Sequence, residues 1–441
     1  MDADSAPARR RAGARLAAVL ALLLVGLAAI PLAVLAVNVP DLLVVLACLF
    51  VATYCVWLLV TRPGLVQVPA VLGLGGALAG LAYLAYDHRI ELAAAVGTLA
   101  LFGLAARAAV RGDAGARSPS RPVPPARHGV LVINPRSGDG KAGRAGLAAE
   151  AERRGIATVT LAPGDDLRAV VEDAIAGGAD VVGMAGGDGS QGVVAAVASA
   201  RGVAHVCVPA GTRNHFALDL GLDRDDVLGA LDAFTDGVER QVDLATVNDR
   251  VFVNNVSLGV YADVVQSETY RGAKLGTWRR LLPALLSKPP DDLRFARPDL
   301  GEQDGATLLL VSNNPYELRR IRVAGSRPRL DTGRLGILSA QLRDADGFAR
   351  FVTLSAVGQE WRMRDVRQWT AAGFEVTAAG PVPVGLDGEA LRMTPPLRFA
   401  SRPGALRVRL PATAPGVSPA GAAVSLSRRD LERLVRIAAG R

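Results

Sequence analysis

The sequence predicts a membrane-spanning helical bundle, then an α/β domain on a parallel sheet, then a mostly antiparallel β domain, a sandwich or a barrel. Three observations carry this reading. Four apolar runs follow one another near the N-terminus. Strand-like and helix-like runs alternate between Val130 and Val208, the pattern of a parallel sheet covered by helices. After Gln241 short β-like runs recur with turns between them, and helical signal becomes sparse. At 441 residues the chain has room for two or three domains. The expected divisions are a basic N-terminus at 1–14, four transmembrane helices at 15–110, a linker at 111–128, the α/β domain at 129–245, the β domain at 246–411 and a tail with an amphipathic helix at 412–441.

The first three apolar runs, Leu16 to Val37, Leu42 to Val60 and Leu65 to Tyr86, carry no charge. Each is close to the roughly 20 apolar residues a helix needs to cross a bilayer. The fourth, Leu92 to Val110, contains only Arg107, near its end, where a long side chain reaches the headgroups. Arg9, Arg10, Arg11 and Arg15 would also suit a signal peptide, but the first run is longer than a signal core and three more follow. Positive charges set the orientation. The N-terminal arginines, Arg62, Arg107 and Arg111 mark the cytoplasmic side, the first connection carries only Asp41, and the third, Asp87 to Glu91, is mixed. A multi-pass protein of the cell membrane is expected, with both ends and the catalytic part in the cytoplasm.

Residues 111–128 are rich in Pro, Gly, Ser and Arg, and an extended, mobile linker is expected there. Its basic charge, close to the membrane, favours anionic headgroups, and the net charge of +8 is read the same way. No basic helix or aromatic–basic interleaving points to nucleic acid, so none is expected as a partner. The three cysteines lack metal-ligand spacing and the four histidines are scattered, which leaves neither a disulfide framework nor a histidine metal cluster.

In the α/β part, strands are expected at Val130–Ile133, Ala157–Leu161, Asp180–Ala185 and Val203–Val208, and helices at Lys141–Arg154, Leu167–Ala176 and Gln191–Ala200. Three loops follow strands and are placed to converge at the carboxyl edge of the sheet: Asn134 to Gly138, Gly186 to Ser190 and Pro209 to Asn214. Gly186-Gly187-Asp188-Gly189-Ser190 is the most informative of these. Glycines let the backbone approach an anion, and the N–H groups at the start of a helix point at it. A carboxylate beside phosphates is repelled unless it binds a metal or takes a proton, which makes Asp188 a candidate for chemistry. An acidic, glycine-rich turn without function is the plainer alternative.

Beyond Gln241, β-like runs lie at Arg250–Val256, Ala306–Ser312, Leu335–Leu342, Phe374–Thr377, Leu397–Phe399 and Leu406–Leu410. Helices are expected at Ser267–Leu286, Asp346–Leu354 and, in the tail, Arg428–Ala439. The stretch Lys274 to Leu286 is basic and amphipathic, suited to lying on a membrane or to capping the β domain.

Asn134-Pro-x-Ser137-Gly138, Gly186-Gly187-Asp188-Gly189-Ser190, Pro209-x-Gly211-Thr212-x-Asn214-x-Phe216-Ala217 and the late Asp387-Gly388-Glu389 occur in this order. Together they resemble the diacylglycerol kinase catalytic family, which includes bacterial lipid kinases and the sphingosine and ceramide kinases. The resemblance covers about residues 129–410. It implies an ATP-binding domain of NAD-kinase/diacylglycerol-kinase-like fold, a β-sandwich lipid-binding domain and a cleft between them. It also implies magnesium-dependent transfer of the ATP γ-phosphate to the hydroxyl of diacylglycerol or a similar lipid alcohol. A homodimer is left open.

The residues suit that chemistry, which needs phosphates held by backbone donors, a metal to neutralise charge and a group to receive the hydroxyl proton. Gly186, Gly187, Gly189 and Ser190 form the cradle, and Gly211, Thr212 and Asn214 a second wall, with the Asn214 amide directed to phosphate or ribose. Asn134, Ser137 and Gly138, followed by Lys141 and Arg144, give a further anion contact. Asp188 and Glu389 are the catalytic carboxylates, one accepting the proton and the other orienting a metal or its waters. The resemblance also implies a magnesium site near Asp331 and Gly333. Departures are Gly192 and Val193, where the family usually has Asn and Glu, Ser190 for Thr, and His215 for Asp. Two alternatives stay in play: a kinase of a soluble acceptor, because the glycine-Asp motif also resembles that of NAD kinases and phosphofructokinases, and, suggested by Gly192 and Val193, a sensor that binds lipid and ATP but transfers nothing.

Overall fold

The computed structural model describes residues 5–37, 39–61, 67–117, 120–259, 293–297, 301–303, 306, 308–316, 326–341, 363, 366–414, 416–423 and 428–440. The expected helices at Ser267–Leu286 and Asp346–Leu354 lie outside them. The chain divides into two compact units, Met1–Ala116 with Val424–Arg441, and Arg117–Ala423.

The first unit holds α1 (Ser5–Val37), α2 (Val39–Thr61), α3 (Gln67–Asp87), α4 (Arg89–Arg117) and the C-terminal helix Arg428–Ala438. Small side chains let these helices approach closely. Ala14, Ala18 and Ala21 of α1 and Ala105, Ala106 and Ala109 of α4 share a core with Leu434 and Ile437 of the C-terminal helix. Outside that core the helices face outward with large apolar side chains; Leu16 is 72% exposed, Leu72 71% and Ile90 73%. Among the described residues, every exposed large hydrophobic except Val435 lies in α1 to α4. Two stretches, Arg11–Ile30 and Arg89–Asp113, are long and apolar enough to cross a membrane, and Val68–Leu84 is a shorter apolar helix. The described residues thus supply two of the four expected spans by this measure.

The second unit is built on two sheets. In the larger, β2 (Gly129–Ile133), β3 (Ala157–Thr160), β4 (Val181–Gly186) and β5 (Ala204–Pro209) pair in parallel, in the order β5-β4-β2-β3. Alternate side chains leave the sheet on opposite faces. Val132, Val182 and Met184 pack with α7 (Leu167–Ala176) and α8 (Asp188–Arg201), while Leu131, Ile133 and Val181 pack with α6 (Leu147–Arg153) and α10 (Asp232–Thr235). Both faces are therefore covered, as a parallel sheet requires. The expected helix Lys141–Arg154 is two pieces, α5 (Lys141–Arg144) and α6, because Gly146 between them adopts φ 64°. A short α9 (His215–Asp219) follows β5.

The second sheet is antiparallel throughout, in the order β13-β12-β11-β8-β15-β16, with β8 at Asn255–Gly259, β11 at Leu308–Asn313, β12 at Leu335–Ala340, β13 at Val366–Ala371, β15 at Val382–Leu386 and β16 at Glu389–Met393. Its side chains Val256, Leu258, Val311 and Val384 share one core with Phe295, Val376 and Phe399 from the antiparallel end of the larger sheet. That end contains β9 (Arg294–Arg297), β10 (Gly301–Gln303) and β14 (Gly373–Thr377).

The expected boundary at 245/246 is not a break in structure. β6 (Gly237–Val247) and β17 (Leu397–Pro411) run across it, paired antiparallel along their length, and β17 also pairs in parallel with β5. The two expected runs Leu397–Phe399 and Leu406–Leu410 are one strand, interrupted by a bulge between Arg402 and Leu406, where Pro403 and Gly404 lie. The expected linker 111–128 is largely ordered. α4 continues to Arg117, and β1 (Arg121–Val123) pairs with β6. Prolines are tolerated there because, among the described residues, β1 pairs only with β6 and lies at the sheet edge. The Asp180 carboxylate then accepts the backbone N–H groups of Arg127 and His128 at 2.9 and 3.0 Å.

Candidate active site

The three expected loops meet. A side-chain carbon added at Gly138 (φ 56°) would lie 2.6 Å from Ala210 O, and one added at Gly211 would lie 2.4 Å from Gly187 Cα. Only glycine permits these backbone approaches. The contacts place the Asn134, Gly186 and Pro209 loops side by side at the carboxyl ends of β2, β4 and β5. Gly187 caps the N-terminus of the 14-residue α8, whose first residue is Asp188. Backbone N–H groups at such a terminus, approached by glycine loops, form an anion site. Thr212 is exposed and Ser190 half-buried at this edge.

Asp188 is held firmly. Its Oδ2 accepts the backbone N–H of His215 at 3.1 Å and its Oδ1 that of Phe216 at 3.0 Å. The carboxylate thus ties the start of α8 to the start of α9. Glu389 comes to the same place from the β15–β16 hairpin: a side-chain carbon added at Gly189 would lie 2.5 Å from Glu389 Oε1. The two carboxylates expected to do chemistry, 201 positions apart in sequence, therefore share one corner.

Other expected ligands are turned to structural work. The Asn214 Oδ1 accepts Gly211 N–H at 2.9 Å, and its Nδ2 donates to Gly211 O at 2.8 Å and Pro209 O at 3.1 Å. Its amide closes its own loop rather than facing phosphate or ribose. Lys141 Nζ donates to Arg224 O at 2.6 Å, and Arg144 donates to the carbonyls of Gly138 and Asp139. Asn134 Oδ1 accepts Arg136 N–H at 3.1 Å, bending the loop that presents Ser137 and Gly138.

At the expected metal position Asp331, Arg329 Nε donates to Oδ1 at 2.7 Å. Among the described residues no group of three or more His, Cys, Asp or Glu gathers to hold a metal ion. Magnesium bound with a nucleotide needs less, one or two carboxylates beside the phosphates, and the Asp188 corner has that donor set.

Sequence reasoning missed two buried polar pairs around this corner and gave no role to a third group, Asp387 of the quoted late motif. Gln191, in the first turns of α8, donates from Nε2 to Met184 O at 2.8 Å, which turns its Oε1 toward His205 Nε2 at 3.0 Å. Burial lowers the His205 pKa to about 4, so the imidazole stays neutral. Asp219 and Arg327 form an ion pair with neither side chain exposed, Nε to Oδ2 at 2.6 Å. Asp387 accepts from three backbone N–H groups, Val253 at 2.9 Å, Asn254 at 2.8 Å and Asn255 at 3.0 Å. Burial nonetheless pushes its pKa up to about 7, with the negative charge of Asp188 adding to the effect. Gly192 is explained by the same residue, because a side-chain carbon there would lie 2.9 Å from Asp387 Oδ2. His215 has its pKa lowered by burial, which Asp188 and Asp219 oppose.

Comparison with known proteins gives this site a family. Residues 128–247 match the diacylglycerol kinase catalytic domain. The chain is 34% identical over 295 residues to the probable lipid kinase YegS-like of Pseudomonas aeruginosa (strain UCBPP-PA14), covering 65% of this chain and 95% of that protein. It is 34% identical over 124 residues to a diacylglycerol kinase of Mycobacterium tuberculosis (strain CDC 1551 / Oshkosh), covering 27% of this chain and 40% of that one. A solved structure from Bacillus anthracis str. Sterne, bearing the name diacylglycerol kinase, shares the fold with TM-score 0.51 at 17% identity, over 64% of this chain and 97% of the other. The protein is a kinase of the lipid kinase class. It belongs to the diacylglycerol kinase catalytic-domain family.

Proposed function

We propose that the protein transfers the γ-phosphate of ATP to the hydroxyl of diacylglycerol or a related lipid alcohol, while its N-terminal helices hold it in a membrane. The observation that carries the reading is that Glu389 lies against Gly189, the residue next to Asp188, beside three glycine loops that approach one another closely. The loops and the start of α8 supply backbone donors for the nucleotide phosphates, with Ser190 and the exposed Thr212 at their edge. A magnesium ion bound by Asp188 and the phosphates would neutralise charge on the transferred group. Asp188 suits that task because two backbone N–H groups fix its carboxylate. Glu389 is exposed, on a hairpin of the antiparallel sheet. In this reading it accepts the proton of an incoming hydroxyl, a role worth typically 10²–10⁴-fold in rate.

The membrane part rests on a separate observation. Contiguous apolar surface of the kind presented by α1 to α4 is rare on soluble proteins. The basic residues around these helices favour a cytoplasmic catalytic unit. The test is radiolabel transfer from [γ-³²P]ATP to lipid by detergent-purified protein, with NAD and sugar phosphates as competing acceptors. Label in lipid supports the reading. Label in a soluble acceptor favours a soluble-substrate kinase, and ATP binding without transfer favours a sensor.

A further inference from the structure

We propose that Arg327 is a positioning residue that fixes the separation of Asp188 from Glu389, an inference that rests on the kinase reading of those two carboxylates. The contacts form a closed circuit. α9 begins with the two N–H groups that bind Asp188 and ends, five residues long, at Asp219. Asp219 is gripped by residues 326 and 327: Arg327 Nε donates to Oδ2 at 2.6 Å, while Arg327 N and Ser326 Oγ donate to Oδ1 at 3.0 and 2.8 Å. The same guanidinium donates through Nη1 to Val253 O at 2.7 Å and Asn313 O at 2.6 Å. The Val253–Asn255 turn, its carbonyl side held by Arg327, gives its N–H side to Asp387. Asp387 N–H donates back to Asn255 O at 2.9 Å, which locks the hairpin turn to that strand. Two residues further on stands Glu389, against Gly189, the neighbour of Asp188.

One route from Asp188 to Glu389 thus runs through α9, Asp219, Arg327, the Val253–Asn255 turn and Asp387; the other is the contact at Gly189. Arg327 is the member that joins the α/β part of the unit to the antiparallel sheet. Its planar fork serves both sides at once, and an ammonium, a point charge, does not reproduce that geometry. Burial works against the charge of Arg327, but Asp219 beside it outweighs this and holds it protonated.

The experiment uses the full-length protein in detergent with lipid substrate. Arg327→Lys keeps the charge. A paired variant, Asp219→Leu with Arg327→Met, leaves no lone buried charge and guards against simple misfolding. If Arg327 positions the carboxylates, kcat falls by about 10- to 100-fold in Arg327→Lys while KM for ATP changes little. In a Glu389→Gln background, Arg327→Lys then adds much less than in the wild type, because both act on one interaction. Equal fold-losses in both backgrounds, or loss of ATP binding in step with kcat, would overturn the proposal. Hydrogen exchange reads the circuit without turnover. Faster exchange at His215, Phe216 and Val253–Asn255 together, in both variants, supports it, and unchanged exchange at His215 and Phe216 overturns it. A wild type that phosphorylates no acceptor overturns the kinase reading, and the exchange result still decides whether Arg327 couples the two sides.

Discussion

Gly189→Ala separates folding from catalysis at this site. Gly189 is the second residue of α8, and alanine is the better helix former by about 0.5–1 kcal/mol in a helix interior. Its φ is not in the left-handed region, so the backbone itself accepts a side chain. What the new methyl meets is the end of a flexible side chain, Glu389 Oε1 at 2.5 Å, Cδ at 2.9 Å and Cγ at 3.0 Å. Normal contact requires the carboxylate to retreat by roughly 1 Å, a displacement that costs about 100-fold in rate when the group does chemistry. The expected result is a melting temperature unchanged or raised by about 1–3 °C, ATP binding retained, and lipid phosphorylation down by about 100-fold. Thermal unfolding, ATP binding by calorimetry and radiolabel transfer measure the three quantities. Adding Gly189→Ala to Glu389→Gln should then lower the rate little further. Full activity in Gly189→Ala would refute the placement of Glu389 at the reacting group. Loss of ATP binding would show instead that the methyl disturbs the phosphate loop.

His205 makes the fold sensitive to acid. Its pKa is about 6.5 when unfolded and about 4 when folded, so the unfolded chain takes the proton first and stability falls as pH drops between those values. The loss reaches about 3 kcal/mol at full protonation, and His205→Gln should flatten the stability profile below pH 6.5; an unchanged profile contradicts the buried neutral imidazole. Asp387 titrates in the opposite sense: raised to about 7 by burial, it contributes stability below its ordinary pKa that is lost as pH rises through 7. Carbon-13 NMR of the aspartate carboxyls, assigned with Asp387→Asn, should show a midpoint near 7, and a midpoint below the ordinary value would mean that its three N–H donors outweigh burial. Finally, the full chain should stay with membranes through an alkaline carbonate wash, and release into the supernatant would remove the membrane-anchor reading.

Much of the α/β half is legible because its signals are local. α7 spans the residues expected of it, Leu167–Ala176, since its capping Asp166 and its apolar spacing lie within the helix. The glycine loops announced themselves by composition, and the backbone contacts of Gly138 and Gly211 show why glycine is needed there. What was not legible depends on partners far along the chain. Asp387 stands in a quoted motif, but its amide partners lie more than 130 positions away; Arg327 binds a carboxylate 108 away, and no periodicity marks either partnership. Pro403 and Gly404 imitate a turn and split β17 into two expected strands, whereas its pairing with β6 carries it through as a bulge. Asn214 shows a related limit. A side-chain amide in a loop suits a ligand or the loop's own backbone equally well, and only the Gly211 and Pro209 contacts decide between them.

The most direct measurement is transfer of labelled γ-phosphate to a panel of lipid alcohols by the wild type, Asp188→Asn and Glu389→Gln, each checked for ATP binding. The account predicts labelled lipid from the wild type, with the rate reduced by about 10²–10⁴-fold in both variants while ATP binding persists. Labelled lipid formed equally well by all three proteins would contradict the assignment of chemistry to these carboxylates. ATP binding without labelled lipid from the wild type would contradict the lipid kinase itself.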